Sequence, residues 1–128
     1  MGLPAESRHD AATAWTVCFL YALSMVMLSA QPSPAVFALP PGWDKAVHAA
    51  EYAVLAGFLF EAHRRTFPRW SPGIRTGLAM GWLLVFALGD EIHQAHVPGR
   101  TAEVWDIVAD GLGGLMLLGW RLGTGRGV

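Results

Sequence analysis

The 128-residue sequence has a single cysteine, Cys18. A lone thiol excludes an internal disulfide and a cysteine-built metal centre. Charge is also scarce, at 15% Asp, Glu, Lys and Arg against roughly 25% in an ordinary soluble domain. A small soluble chain has a large surface for its volume and needs polar residues to cover it. Here apolar residues make up 53%, which argues against disorder and against a coiled coil. Internal repeats and low-complexity tracts are missing. There is no P-loop, dinucleotide fingerprint or zinc-protease motif. The length allows one domain, residues 1–128.

Proline is absent from four apolar stretches. All eight prolines (Pro4, Pro32, Pro34, Pro40, Pro41, Pro68, Pro72 and Pro98) lie between or before them, as expected of a residue that breaks helix interiors. The stretches predict helices over about 11–30, 45–62, 74–94 and 102–122. The first, Ala11 to Ala30, has 20 residues without a charge. At about 1.5 Å per residue it spans roughly 30 Å, the thickness of a bilayer core. It exceeds the usual apolar core of a signal peptide, and Leu28 is a poor residue three before a cut at Ala30. The other three stretches are interrupted by charge but have the length of a membrane span. Trp15, Trp43, Trp70, Trp105 and Trp120 fall near stretch ends, where an aromatic belt belongs. The expected architecture is all-α, a four-transmembrane-helix bundle. Gly73, Gly77 and Gly81 form a small-residue ridge that reads as packing inside that bundle.

Arg8, Arg64, Arg65, Arg69, Arg75, Arg121 and Arg126 all fall on one side of such a bundle. The positive-inside rule makes that side cytoplasmic, with both termini inside (N-in/C-in) and the protein multi-pass. Beside a span, the arginine cluster reads as topology and lipid contact, with no nucleic-acid partner. Asp44, Glu51, Asp90, Glu91, Glu103, Asp106 and Asp110 map to the outer half, where only Lys45 and Arg100 are basic. The formal charge of −1 therefore divides into −5 outside and +4 inside.

Spacings of three and four place Asp44, His48, Glu51, Tyr52 and Leu55 on one face of the second helix. Asp90 and Gln94 are one turn apart on the third helix, with Glu91 and His93 adjacent. Pro98-Gly99 then turns the chain. Thr101 is the expected N-cap of the fourth helix, with Glu103 in its first turn. Asp106 and Asp110 follow at i, i+4. Ionisable groups in a membrane face the bundle interior or a wet cavity, so one shared outward-opening pocket is expected. His9 and His63 read as solvated residues near the cytoplasmic ends. Ser24 and Ser29 lie on the first helix, outside the constellation.

The run Asp44-Lys45-Ala46-Val47-His48-Ala49-Ala50-Glu51-Tyr52, followed by Leu55 and Gly57, resembles the D-K-x-x-H-x-x-x-Y-x-x-L-x-G element of the VanZ-like family of small bacterial membrane proteins. Asp90-Glu91-Ile92-His93-Gln94-Ala95-His96-Val97-Pro98-Gly99-Arg100 resembles that family's D-E-x-x-Q-x-x-x-P-G-R element. Asp106, Asp110, Gly111 and Gly113 resemble its D-x-x-x-N/D-x-x-G region, with Asp110 where many relatives carry Asn. The resemblance covers residues 44–114 and implies kinship with proteins of reduced teicoplanin susceptibility.

Mixed carboxylate, imidazole, phenol and guanidinium chemistry at one depth suits a membrane-embedded hydrolase or transferase acting on a lipid-linked phosphate or cell-wall intermediate. Asp44, His48, Tyr52, Asp90 and Glu91 are the candidates for acid–base work. Lys45, Gln94 and Arg100 are the candidates for binding, Arg100 as a bidentate phosphate ligand. Asp90, Asp106 and Asp110 offer oxygen ligands to a divalent cation such as Mg²⁺ or Mn²⁺. Three other readings fit the same residues. They are an internal ion-pair network that fixes helix register, a non-catalytic binder of an envelope lipid, precursor or antibiotic, and a proton- or ion-coupled transporter.

Overall fold

The computed structural model describes residues 5–31, 40 and 42–125, with side chains from residue 9 onward. Arg126, Pro4, Pro41 and the Pro-rich stretch 32–39 lie outside the described residues, as does the side chain of Arg8. The fold is all-α among the described residues: α1 (Ala5–Ser29), α2 (Trp43–Thr66), α3 (Pro72–Gln94) and α4 (Val104–Thr124). Each helix reaches beyond or begins apart from its apolar stretch. Hydropathy marks where a helix is apolar, whereas the helix itself continues through charged residues that are good helix formers, such as Glu61, Arg64 and Arg65.

Local chemistry sets the ends. Ser71 caps α3, its hydroxyl accepting the N–H of Ile74 at 3.4 Å, and Pro72 occupies the first turn, where its missing N–H costs nothing. Gly99 has φ +80°, and Arg100 N donates to Val97 O at 3.1 Å. This is the tight Pro98-Gly99 turn expected, with glycine in the left-handed region. The start of α4 differs from expectation. Glu103, not Thr101, is the N-cap residue, and its side chain makes no capping bond. Its backbone N–H donates instead to Glu91 Oε2 at 2.7 Å, so a carboxylate from α3 serves that end of α4.

The second helix, α2, packs on all three others, most extensively on α4, while α1 meets α3 only narrowly. Leu55, Ala56, Leu59 and Phe60 of α2 meet Ala79, Leu83 and Ala87 of α3, Leu118 of α4, and Cys18 and Met25 of α1. The i, i+4, i+8 spacing of Ala79, Leu83 and Ala87 keeps them on one buried face. Gly113 sets the α2–α4 distance. A Cβ there would lie 1.9 Å from the Ala49 carbonyl oxygen, so only glycine permits this approach. By contrast, Gly73, Gly77 and Gly81 have no neighbour within 4 Å. The expectation that this ridge packs inside the bundle is corrected: it faces outward.

Among the described residues, two helices are long and apolar enough to cross a membrane, His9–Ser29 and Pro72–Gln94. The other two are diluted, α2 by charges at both ends and α4 by Asp106, Asp110 and five glycines. The outer surface is strongly apolar all the same. Trp82, Val85, Val104, Trp105, Leu112 and Met116 are exposed, Met116 by 74%, while Asp90, Glu91, Gln94, Asp106 and Asp110 are buried.

Candidate functional site

Most of the buried polar side chains gather where α2 and α4 begin and α3 ends. Lys45, in the first turn of α2, donates to Asp44 Oδ2 at 3.0 Å, to Glu103 Oε2 at 2.7 Å and to Asp106 Oδ1. One ammonium thus bridges α2 and α4. Asp44 stands ahead of the apolar run, and the Lys45 hydrogen bond holds its carboxyl below the usual range. One turn deeper, His48 Nδ1 lies 3.0 Å from Asp110 Oδ1, and His48 Nε2 lies 3.9 Å from Asp106 Oδ2. Asp106 and Asp110 share a helical face, and together they frame His48.

On α3, Asp90 has both oxygens engaged. Ser29 Oγ donates to Oδ1 at 2.6 Å, and Gln94 Nε2 donates to Oδ2 at 2.9 Å. The expectation that Ser29 lies outside the constellation is corrected. A serine on an uncharged helix carries no signal in the sequence, and only the fold brings the end of α1 to α3. Glu91 uses Oε2 for the Glu103 N–H, while Oε1 has no hydrogen-bond partner. The Tyr52 hydroxyl and Asp110 Oδ2 are likewise buried and unpartnered. Tyr52 stacks beside His48 with ring centroids 6.5 Å apart.

The structure therefore brings Lys45, His48, Tyr52, Glu91, Asp106 and Asp110 together across three helices, with Asp90 and Gln94 joined through Ser29 to α1. Asp44 is exposed at the rim. Arg100 forms no ion pair with the acids among the described residues. Its guanidinium donates to the backbone carbonyls of Gln31 at 3.2 Å and Leu28 at 3.4 Å, which ties the turn to the end of α1. Both basic residues of this end are thus already engaged.

The carboxylates expected to share a cation are also differently disposed. Asp90 is occupied by Ser29 and Gln94, and Asp110 holds His48. Among the described residues, the groups whose ligand atoms lie within 4.8 Å of one another are His48, Glu91 and Asp106. Of the expected trio, only Asp106 belongs to that group.

The opposite end holds a different set. Arg64 and Arg65 both pair with Glu61, at 2.7 Å each. Arg75 is buried and caps the α2–α3 connection, donating to Trp70 O at 2.8 Å and Pro68 O at 3.1 Å. His63, expected to be solvated, is only 2% exposed. Its Nδ1 contacts the Leu59 carbonyl at 2.7 Å, and its ring lies edge-on to Trp15 at 5.1 Å. It is a satisfied core histidine, hidden by the packing of α1 on α2.

No curated protein and no solved structure matches the chain. The VanZ/LLP1 family matches residues 11–121, most of the chain and all three polar helices. The chain belongs to the VanZ/LLP1 family and is a VanZ-type envelope protein.

Proposed function

We propose that the chain spans the bacterial cytoplasmic membrane four times, with both termini inside. In this reading its polar cluster opens near the extracytoplasmic face and acts on a lipid-linked phosphate of the envelope, as a hydrolase or transferase. The inverted surface supports the membrane reading. Large apolar side chains point outward while five acidic or amide side chains are buried, the reverse of what water selects. The positive connection between α2 and α3, with Arg64, Arg65 and Arg69, supports the orientation.

One observation carries the chemistry. Three buried polar atoms on three helices, the Tyr52 hydroxyl, Glu91 Oε1 and Asp110 Oδ2, have no hydrogen-bond partner. Leaving such a group unpaired costs about 1–3 kcal/mol each. A network serving only to fix helix register has no reason to leave three of its members unsatisfied, whereas a site for a polar headgroup does. Tyr52 supplies an O–H donor to a phosphoryl oxygen. Asp110 supplies a free carboxylate oxygen that can accept a proton from an attacking hydroxyl, and it orients the His48 ring with its other oxygen. Direct capture of an anion by a free cation is less well supported, because Lys45 and Arg100 are both engaged.

The test uses purified full-length protein in detergent micelles with polyprenyl diphosphate or a lipid-linked sugar diphosphate. Phosphate release or transfer is expected, with a loss of at least a hundredfold in Asp110→Asn and Tyr52→Phe and no change in Glu61→Gln at the opposite end. Full turnover in both site variants, or substrate left intact by the native protein, overturns the reading.

A further inference from the structure

We propose that His48, Glu91 and Asp106 form a binding site for one divalent transition-metal ion. Their three ligand atoms, one from each of α2, α3 and α4, lie within 4.8 Å of one another. Ligands bonded to one ion at about 2.0–2.2 Å stand about 3–4 Å apart, so small side-chain shifts bring these three onto a common centre. The geometry of His48 points the same way. Its Nδ1 is engaged by Asp110 Oδ1 at 3.0 Å. A ring nitrogen beside a carboxylate carries the proton, which leaves the Nε2 lone pair free. Nε2 makes no hydrogen bond of its own and stands 3.9 Å from Asp106 Oδ2, too far for one. A histidine held through one nitrogen by a carboxylate, with the other nitrogen open, is the arrangement of metal-ligating histidines.

A second observation is independent of the clustering of acids. Glu91 is 4% exposed, its Oε2 is taken by the Glu103 N–H, and its Oε1 is buried without a partner. A buried carboxylate oxygen in this state needs either a proton or a cation. The local charge favours a cation: among the described residues Lys45 is the one lysine or arginine bonded into this cluster, and it already serves Asp44, Glu103 and Asp106. One imidazole with two carboxylates suits Zn²⁺ or Mn²⁺, whereas Mg²⁺ and Ca²⁺ prefer oxygen alone. Three protein ligands leave further positions open for an outside oxygen.

The ion stands on this geometry alone. Its role toward phosphate rests on the reading above, where it removes a conflict of sign: an anionic headgroup approaching a surplus of carboxylates meets a positive centre instead.

The full-length protein in micelles, stripped with a chelator, is titrated with ZnCl₂ by calorimetry and with CoCl₂ by visible absorption. The expected result is one equivalent bound per chain, with a Co²⁺ ligand-field band. His48→Ala and Glu91→Gln should each weaken binding at least tenfold. Glu91→Gln keeps an oxygen for the Glu103 N–H, and circular dichroism checks that the helices persist. Asp110→Asn, which disturbs only the orientation of His48, should weaken binding about 10–100-fold. Glu61→Gln should change nothing. Absence of saturable binding, or equal binding in native, His48→Ala and Glu91→Gln proteins, overturns the site. Phosphate turnover that a chelator leaves unchanged overturns the role of the ion but not the enzyme reading. Stoichiometric binding without turnover overturns the enzyme reading but not the ion.

Discussion

The two ends of the bundle use charge in opposite ways. At one end Glu61, Arg64 and Arg65 pair within a single helix at i, i+3 and i, i+4, with all three side chains partly exposed. Arg75 seals a connection by hydrogen-bonding backbone carbonyls. These contacts are local, and here bases outnumber acids. At the other end the contacts cross between helices: Lys45 to Asp106 and Glu103, His48 to Asp110, Ser29 to Asp90, and Glu91 to the Glu103 backbone. Acids outnumber bases there, and polar atoms are left over. At the first end the ion pairs need only one helix to form. The second exists only when all four helices are in place, and it gathers three unpartnered buried atoms on three of them: the Tyr52 hydroxyl, Glu91 Oε1 and Asp110 Oδ2.

Substitutions can break or sharpen this contrast. The largest effect is expected from Gly113→Val, because the new side chain must displace the Ala49 backbone. Overpacking of this kind costs about 3 kcal/mol, and denaturant unfolding in micelles should show it. Gly77→Val, on the open side of α3, should have a much smaller effect. Next comes Asp90→Ala, which strands the buried Ser29 hydroxyl and the Gln94 amide. The expected loss is about 2 kcal/mol in the same unfolding assay.

Lys45→Met should follow at about 1–2 kcal/mol near pH 7, since its partners are only partly desolvated. The pH dependence gives the sign. In the native protein the Lys45 hydrogen bond lowers the Asp44 pKa. That contribution is therefore present above the unfolded-state value and fades as pH falls toward the folded one. The deficit against the native protein should therefore persist from pH 7 to about pH 4, near the unfolded-state Asp value, and shrink on further acidification, which unfolding curves above and below that value measure. The smallest effect is expected from Glu61→Gln, under about 1 kcal/mol and reduced further by salt, because the pair is partly exposed.

Much of this arrangement is legible in the sequence, for physical reasons. Apolar stretches bounded by proline predict four helices, and four are present among the described residues. The i, i+4 spacing of Asp106 and Asp110 places both on one face, where both meet His48. What stays illegible depends on contacts between helices. Ser29 sits in an uncharged run with nothing to mark it as a partner of Asp90. His63 looks solvated beside Arg64 and Arg65, yet α1 covers it with Trp15. Thr101 has the right chemistry for an N-cap, but Glu91 reaches the next helix first and moves its start to Val104. Arg100 looks like a phosphate ligand by residue type, and its guanidinium is spent on backbone carbonyls of α1. Residue type and spacing locate the polar end; which atoms remain free there is decided by packing.

In the proposed topology the acid-rich end faces outward and the arginine-rich end faces the cytoplasm. In a Cys18→Ser background, single cysteines are placed at the exposed positions Ala95, after α3, and Arg69, between α2 and α3. Intact cells are then treated with a membrane-impermeant maleimide. The account predicts labelling of Ala95→Cys in intact cells and of Arg69→Cys only after permeabilisation. Labelling of Arg69→Cys in intact cells with Ala95→Cys protected, or equal labelling of both, would contradict it.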